Sequence, residues 1–200
     1  MSKRNLDPYV EDLLNMKFHV SQVISCPYRT VIEKNTYKIL IGKIWDLGVK
    51  EYYRDKGYET DVEVLMNFGK KWKLVGHIDM VSPTKIIEVK LTDFNEITVK
   101  KGLLQVFMYA KMYELQFGEK KKPELWCYGI KSYKIFTPQY GERTFNRIIE
   151  RCNYIWLYLN KTNKIPRIPS RLDCTVCREK FSCPLAFKVN IRPFNVLDLH

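Results

Sequence analysis

The sequence predicts a mixed α/β domain, and three observations carry that prediction. Between residues 63 and 91 lie three short runs rich in Val, Ile and aromatic side chains, separated by turns at Gly69-Lys70-Lys71 and Ser82-Pro83, which reads as a β meander. Residues 101–117 then repeat apolar side chains at helical spacing before two more strand-like runs, so a helix returns between strands. With 200 residues, 46% of them hydrophobic and 14% aromatic, the chain is long enough to bury one sizeable core.

Taken in order, Leu6, Val10, Leu13 and Leu14 recur at helical intervals and predict a short amphipathic helix over 6–17. Ser21 stands where it caps a helical turn ending near Cys26. Over 37–56 the apolar positions Leu40, Ile41, Ile44, Trp45, Gly48 and Tyr52 repeat at helical spacing, Gly42 and Asp46 share a face, and Gly57 offers a stop. Strands follow at 63–68, 72–81 and 85–91. The helix over 101–117 carries Leu104, Phe107, Met108, Met112 and Leu115 on one side, with Gln105 and Tyr109 one turn apart and Gly118 as its stop. Strands at 125–130 and 133–136 precede a long helix over 141–159 that turns Phe145, Ile148, Ile149, Cys152, Ile155, Trp156 and Leu159 inward. Ile165-Pro166-Arg167-Ile168-Pro169 breaks it, and 185–200 read as an irregular tail with Phe187 and Phe194 as packing anchors.

Lys+Arg 34 against Asp+Glu 22 leaves a net charge of +12, an excess that favours a polyanionic partner such as nucleic acid or an anionic surface. No segment reaches the apolar length of a membrane span, and the charged start lacks a signal-type apolar stretch, so an intracellular, cytoplasmic protein is expected. The basic run Lys120-Lys121-Lys122 reads as a solvated loop.

Chemistry concentrates in two places. The first is the pair Gly76-His77-Ile78-Asp79 and Ile86-Ile87-Glu88-Val89-Lys90 around a Ser82-Pro83-Thr84 turn. Strand alternation puts His77 with Asp79 on one face and Glu88 with Lys90 on one face. Carboxylates and an ammonium inside apolar strands are costly unless paired or holding a cation, so the cluster is either a buried ion pair or a divalent metal site. The second place is Cys174-x2-Cys177-x5-Cys183 followed by Pro184. Thiols this close in one loop point to a soft metal site needing a fourth ligand, as zinc or an iron–sulfur cluster. Cys26 is the best candidate for it, with His19 and His77 as alternatives, because Cys127 falls in a strand and Cys152 on an apolar helix face. Such a site would clasp the two ends of the chain.

These residues together resemble the PD-(D/E)xK superfamily, and within it RecB-type nucleases with an iron–sulfur cluster, above all the fourth CRISPR-associated protein family. Cys26 with Pro27 and Arg29 is similar to that family's first cluster cysteine, Gly76-x-Ile78-Asp79 to its motif II, Glu88-Val89-Lys90 to its motif III, Gln105-x3-Tyr109 to its QxxxY motif, and Cys174, Cys177 and Cys183 to its late cysteines. The resemblance spans nearly the whole chain. It implies a restriction-endonuclease-like mixed sheet flanked by helices over residues 1–200, with 1–34 and 165–200 forming a 4Fe-4S region. It further implies that Asp79 and Glu88, helped by the Val89 carbonyl, hold Mg2+ or Mn2+, that Lys90 assists the attacking water, and that Gln105 and Tyr109 place the scissile strand. Related nucleases put a metal-binding histidine four residues after the glycine matched by Gly42, whereas this chain has Asp46 there, either a hard oxygen ligand or a solvent-facing helix residue, with His77, close in sequence to Asp79, as another candidate. The expected activity is a single-stranded DNA exonuclease serving CRISPR spacer acquisition or DNA repair, with Tyr52, Tyr53 and Trp72 stacking on bases. The alternative is a non-catalytic DNA-binding or assembly module that partners a CRISPR integrase.

Overall fold

The structure is a computed structural model, and it describes residues 8–28, 36–92, 94–129, 131–168, 174, 182, 183 and 185. Among these, the element order is α1 (Pro8–Leu14), β1 (Lys17–His19), α2 (Val20–Val23), α3 (Thr36–Arg54), β2 (Glu59–Phe68), β3 (Trp72–Val81), β4 (Lys85–Leu91), α4 (Glu96–Phe117), β5 (Lys122–Tyr128), β6 (Tyr133–Phe136) and α5 (Glu142–Thr162). The strands form one mixed six-stranded sheet in the order β1-β3-β4-β5-β6, with β2 also paired to β3. Two compact units divide the chain: Met1–Glu33, Asn67–Val75 and Asn146–His200 form one, Lys34–Met66 and Gly76–Phe145 the other.

The second unit holds the meander and the crossover. β4 meets β3 antiparallel through Met80↔Ile87 and Val81↔Ile86, and meets β5 parallel from Lys85↔Lys122 to Leu91↔Tyr128. A parallel partner needs a long connection, which α4 supplies. Both faces of β4 are covered, and the run Ile86-Ile87-Glu88-Val89 is buried throughout, so it reads as a continuous apolar strand interrupted by one carboxylate. Met80, Ile87, Val89 and Trp126 form a buried cluster against which Trp45, Val49, Tyr53, Tyr58 and Tyr128 pack. α4 begins because the Asn95 side chain accepts the Ile97 and Thr98 amides, and it ends because Gly118, at φ 71°, takes the left-handed cap conformation. A Cβ on Gly102 would stand 2.7 Å from Leu125 Cδ1, so this glycine lets the helix lie close on β5.

The first unit pairs β1 parallel to the start of β3, from Lys17↔Lys73 to His19↔Val75. Trp72 stacks between Phe18 and Phe68 with centroids 5.9 and 3.8 Å away, and its indole N–H donates to Asn153 Oδ1 at 2.9 Å. Ile148, Cys152, Ile155 and Leu159 form the buried stripe of α5.

Several expectations needed correction. β1 was unforeseen, α2 starts from His19 instead of Ser21, and the Gln22 side chain accepts the His19 amide at 2.9 Å. α4 starts at Glu96, ahead of the expected 101, because the Asn95 cap lies further back than the first apolar repeat. Leu115 on α4 is exposed, and on α3 Ile41, Ile44 and Tyr52 are exposed because that helix turns the Trp45, Val49, Tyr53 stripe to the core. Trp72 is buried and cannot meet a base. Leu6, Arg29, Phe187, Phe194 and Cys177 lie outside the described residues.

Candidate active site

Asp79 stands where the β3–β4 ladder gives way to a side chain: its Oδ2 accepts the Val89 backbone amide at 2.7 Å. This bond ties the Asp79 carboxylate to the motif on β4. Glu88 is 1% exposed, and its Oε1 forms an ion pair with Lys90, while Oε2 is buried with no hydrogen-bond partner. Burial, reinforced by the charge of Asp79, pushes the Glu88 carboxyl up to about 8. Burial also opposes the Lys90 charge, but Glu88 and Asp79 outweigh it and hold this ammonium above its ordinary range. Gln105 donates from Nε2 to the Tyr109 hydroxyl at 2.7 Å, one helical turn on. The Tyr109 phenol is raised well above its ordinary value by burial and by the negative charge of Glu88 and Asp79. Its ring lies against Gly76, where a Cβ would come within 2.6 Å of Tyr109 Cδ1.

A second buried carboxylate in the same sheet provides an internal control. Glu124 is 3% exposed and accepts from Trp126 Nε1 at 3.0 Å, Lys85 at 3.1 Å and Lys122 at 3.1 Å. Burial alone would raise its carboxyl, yet these bonds hold it below the ordinary range. Glu124 is a satisfied structural carboxylate. Glu88 instead keeps an oxygen without a donor and lies against a second carboxylate, Asp79, whose charge raises it further.

Asp46 comes to the same place from α3. Lys50 Nζ lies 2.7 Å from Asp46 Oδ2, 2.6 Å from Asp61 Oδ1 and 3.3 Å from Asp79 Oδ1, so the three carboxylates converge on one ammonium. Burial, together with the charges of Asp79 and Asp61, raises the Asp46 carboxyl. Sequence reasoning missed Lys50 and Asp61; the signal for Lys50 was its i+4 spacing from Asp46. His77 is half exposed and lies 3.9 Å from Glu63. A groove of about 380 Å3 is lined by Trp45, Gly48, Val49, Tyr52, Tyr53 and Tyr128.

In the other unit, Cys26, Cys174 and Cys183 are half-buried. The Arg167 guanidinium lies 4.0 Å from the Tyr28 ring centroid and also hydrogen-bonds Cys183. Cys127 and Cys152 are buried, and burial pushes the Cys127 thiol up to about 11 and the Cys152 thiol higher still. His19 is engaged elsewhere, with Nε2 at 2.8 Å from Asp12 Oδ2.

No family model matches this sequence, and neither does any curated protein. Solved structures do. An alkaline exonuclease, LHK-Exo from Laribacter hongkongensis, aligns with a TM-score of 0.49 and 12% identity over 78% of this chain and 92% of its own. The crystal structure of SSO0001 aligns with a TM-score of 0.57 and 19% identity over 88% of this chain and 96% of its own. The chain therefore shares its mixed α/β fold with SSO0001.

Proposed function

We propose that the protein is a divalent-metal-dependent deoxyribonuclease whose centre is Asp79, Glu88 and Lys90. The observation that carries this reading is the donorless Glu88 Oε2, buried beside Asp79 and raised in pKa where the equally buried Glu124 is satisfied. Among the described residues no three ligating side chains are already gathered for a metal, so the support is the chemistry of paired carboxylate oxygens, which suit a hard cation such as Mg2+ or Mn2+. Asp79 and Glu88 would hold it, with the Val89 carbonyl as a further oxygen ligand, while Asp46, the other expected ligand, is held by Lys50. Such an ion polarises a phosphate and lowers the pKa of an attacking water. The Lys90 ammonium, kept charged by its neighbours, orients that water or offsets negative charge growing on the phosphoryl oxygens. Gln105 and Tyr109, joined by their own hydrogen bond, position the scissile strand. The groove of Trp45 and Tyr52 offers ring faces to unstacked bases, and the charge of +12 favours a polyanion, which together favour single-stranded DNA.

The same reading assigns a 4Fe-4S cluster to Cys26, Cys174, Cys177 and Cys183. Its support is that Arg167 touches both Tyr28, two residues from Cys26, and Cys183, so the early and late cysteine segments meet at one guanidinium. Cys127 and Cys152, whose thiols burial keeps protonated, are unsuited as thiolate ligands. Hydrolysis moves no electrons, so the cluster's role is structural. The expected place of the activity is trimming of single-stranded ends in spacer acquisition or repair.

The test is degradation of end-labelled single-stranded DNA by cluster-loaded protein with Mg2+ or Mn2+. Asp79→Ala and Lys90→Ala each lower the rate at least a hundredfold on this reading. Wild-type rates in both variants would reject the site.

A further inference from the structure

Lys50 has no part in the reaction just described, yet it is only 8% exposed, and lysine is seldom so buried unless paired. Its partners come from three elements: Asp46 on α3, Asp61 on β2 and Asp79 on β3. One ammonium among three carboxylates leaves negative charge uncompensated, with Glu88 adjoining, so the cluster as it stands has room for more positive charge. Asp61 also carries a φ of 58°, in the left-handed region that residues other than glycine seldom adopt. Strain of that kind persists where the surroundings enforce it, and it concentrates at functional sites.

We propose that Lys50 is an internal counter-cation that occupies Asp79 until a divalent ion arrives, so that metal entry requires its ammonium to withdraw from Asp79 onto Asp46 and Asp61. The proposal rests on the metal-site reading above. The geometry favours that direction of withdrawal, because the Asp79 contact, at 3.3 Å, is the longest of the three, against 2.7 and 2.6 Å. The four-carbon stem of lysine allows a shift of this size. In the metal-free protein the ammonium keeps the carboxylates from repelling one another, and by competing for Asp79 it lowers the apparent affinity for the metal.

The experiment is Mn2+ titration by calorimetry on cluster-loaded wild-type protein, Lys50→Met, Lys50→Arg and Asp79→Asn. Removing the competitor tightens Mn2+ binding at least tenfold in Lys50→Met, while Lys50→Arg, which keeps the charge, stays near wild type. Unchanged or weaker binding in Lys50→Met overturns the proposal, since a lysine that merely supports the fold cannot weaken metal binding. A readout on the wild-type protein holds even where Lys50→Met does not fold. In a crystal structure of the wild-type protein with Mn2+ bound, the Lys50 contact to Asp79 lengthens beyond ion-pair reach while those to Asp46 and Asp61 persist, and an unmoved Lys50 beside the bound metal also overturns the proposal. Mn2+ affinity that is the same in Asp79→Asn as in wild type removes the metal site itself, and with it the nuclease reading. Loss of binding in Asp79→Asn alongside unchanged affinity in Lys50→Met removes only the role of Lys50.

Discussion

Glu88 and Glu124 are both buried carboxylates, and the difference between them fixes a pH prediction. The folded-state value of Glu88 is raised from 4.5 to about 8, so between those values the folded protein holds a proton that the unfolded chain has released. Stability from this group is therefore fully present below pH 4.5 and is lost as pH rises towards about 8. In metal-free protein, Glu88→Gln removes that slope, so the difference in melting temperature between variant and wild type widens in favour of the variant from pH 5 to pH 8. Thermal scans across this window check it, and parallel curves would contradict it. At this scale the pairing of Glu88 with Lys90 and of Gln105 with Tyr109 was legible, because polar residues at two-residue spacing in apolar strands and at four-residue spacing on a helix stand out. Lys50 and Asp61 were not. A lysine four residues from an aspartate reads as an ordinary solvated pair, and nothing local shows that β2 brings a third carboxylate to it.

Among the elements, the approach of α4 to β3 is set by Gly76. Added there, a Cβ lies 2.6 Å from Tyr109 and 2.9 Å from Val64 Cγ2, so Gly76→Ala must displace the ring that Gln105 holds. Overpacking of this kind costs about 1–3 kcal/mol. Urea denaturation of Gly76→Ala should show a loss in that range, together with reduced nuclease activity from a shifted Tyr109. Wild-type stability would mean that the contact yields freely. β3 and β4 were legible to the residue because Gly, Ser and Pro punctuate their ends and their apolar content is high. The inward face of α3 was not, since Ile44 and Tyr52 are as apolar as Trp45 and Val49, and only the buried cluster of Met80, Ile87, Val89 and Trp126 decides which stripe turns in. β1 has three residues, too few for any alternation to show, and it exists because the first turns of β3 offer it a parallel edge.

Across the whole molecule, the mixed α/β architecture followed from a meander and a returning helix, and the shared fold with SSO0001 agrees with it. No helix among the described residues is long and apolar enough to cross a membrane. Cysteine spacing, by contrast, does not identify what would fill the proposed soft site, because zinc and iron–sulfur clusters accept the same thiolates. Protein purified without oxygen should carry iron and visible absorption. Cys26→Ala and Cys174→Ala should lose most of the iron, while Cys127→Ala keeps it, because that thiol is buried opposite Lys90 in the sheet. A colourless protein with one zinc per chain would replace the cluster by zinc, leaving the nuclease centre as argued.

The central claim is that a metal held by Asp79 and Glu88 and an ammonium supplied by Lys90 hydrolyse DNA. Lys90→Met separates the two, because it leaves both carboxylates in place while removing the charge that sits on Glu88. Single-turnover cleavage of labelled single-stranded DNA, measured beside Mn2+ binding on the same sample, tests the claim most directly. The account predicts that Lys90→Met binds Mn2+ at least as tightly as wild type yet cleaves at least a hundredfold more slowly; cleavage at the wild-type rate by a variant that binds Mn2+ would contradict it.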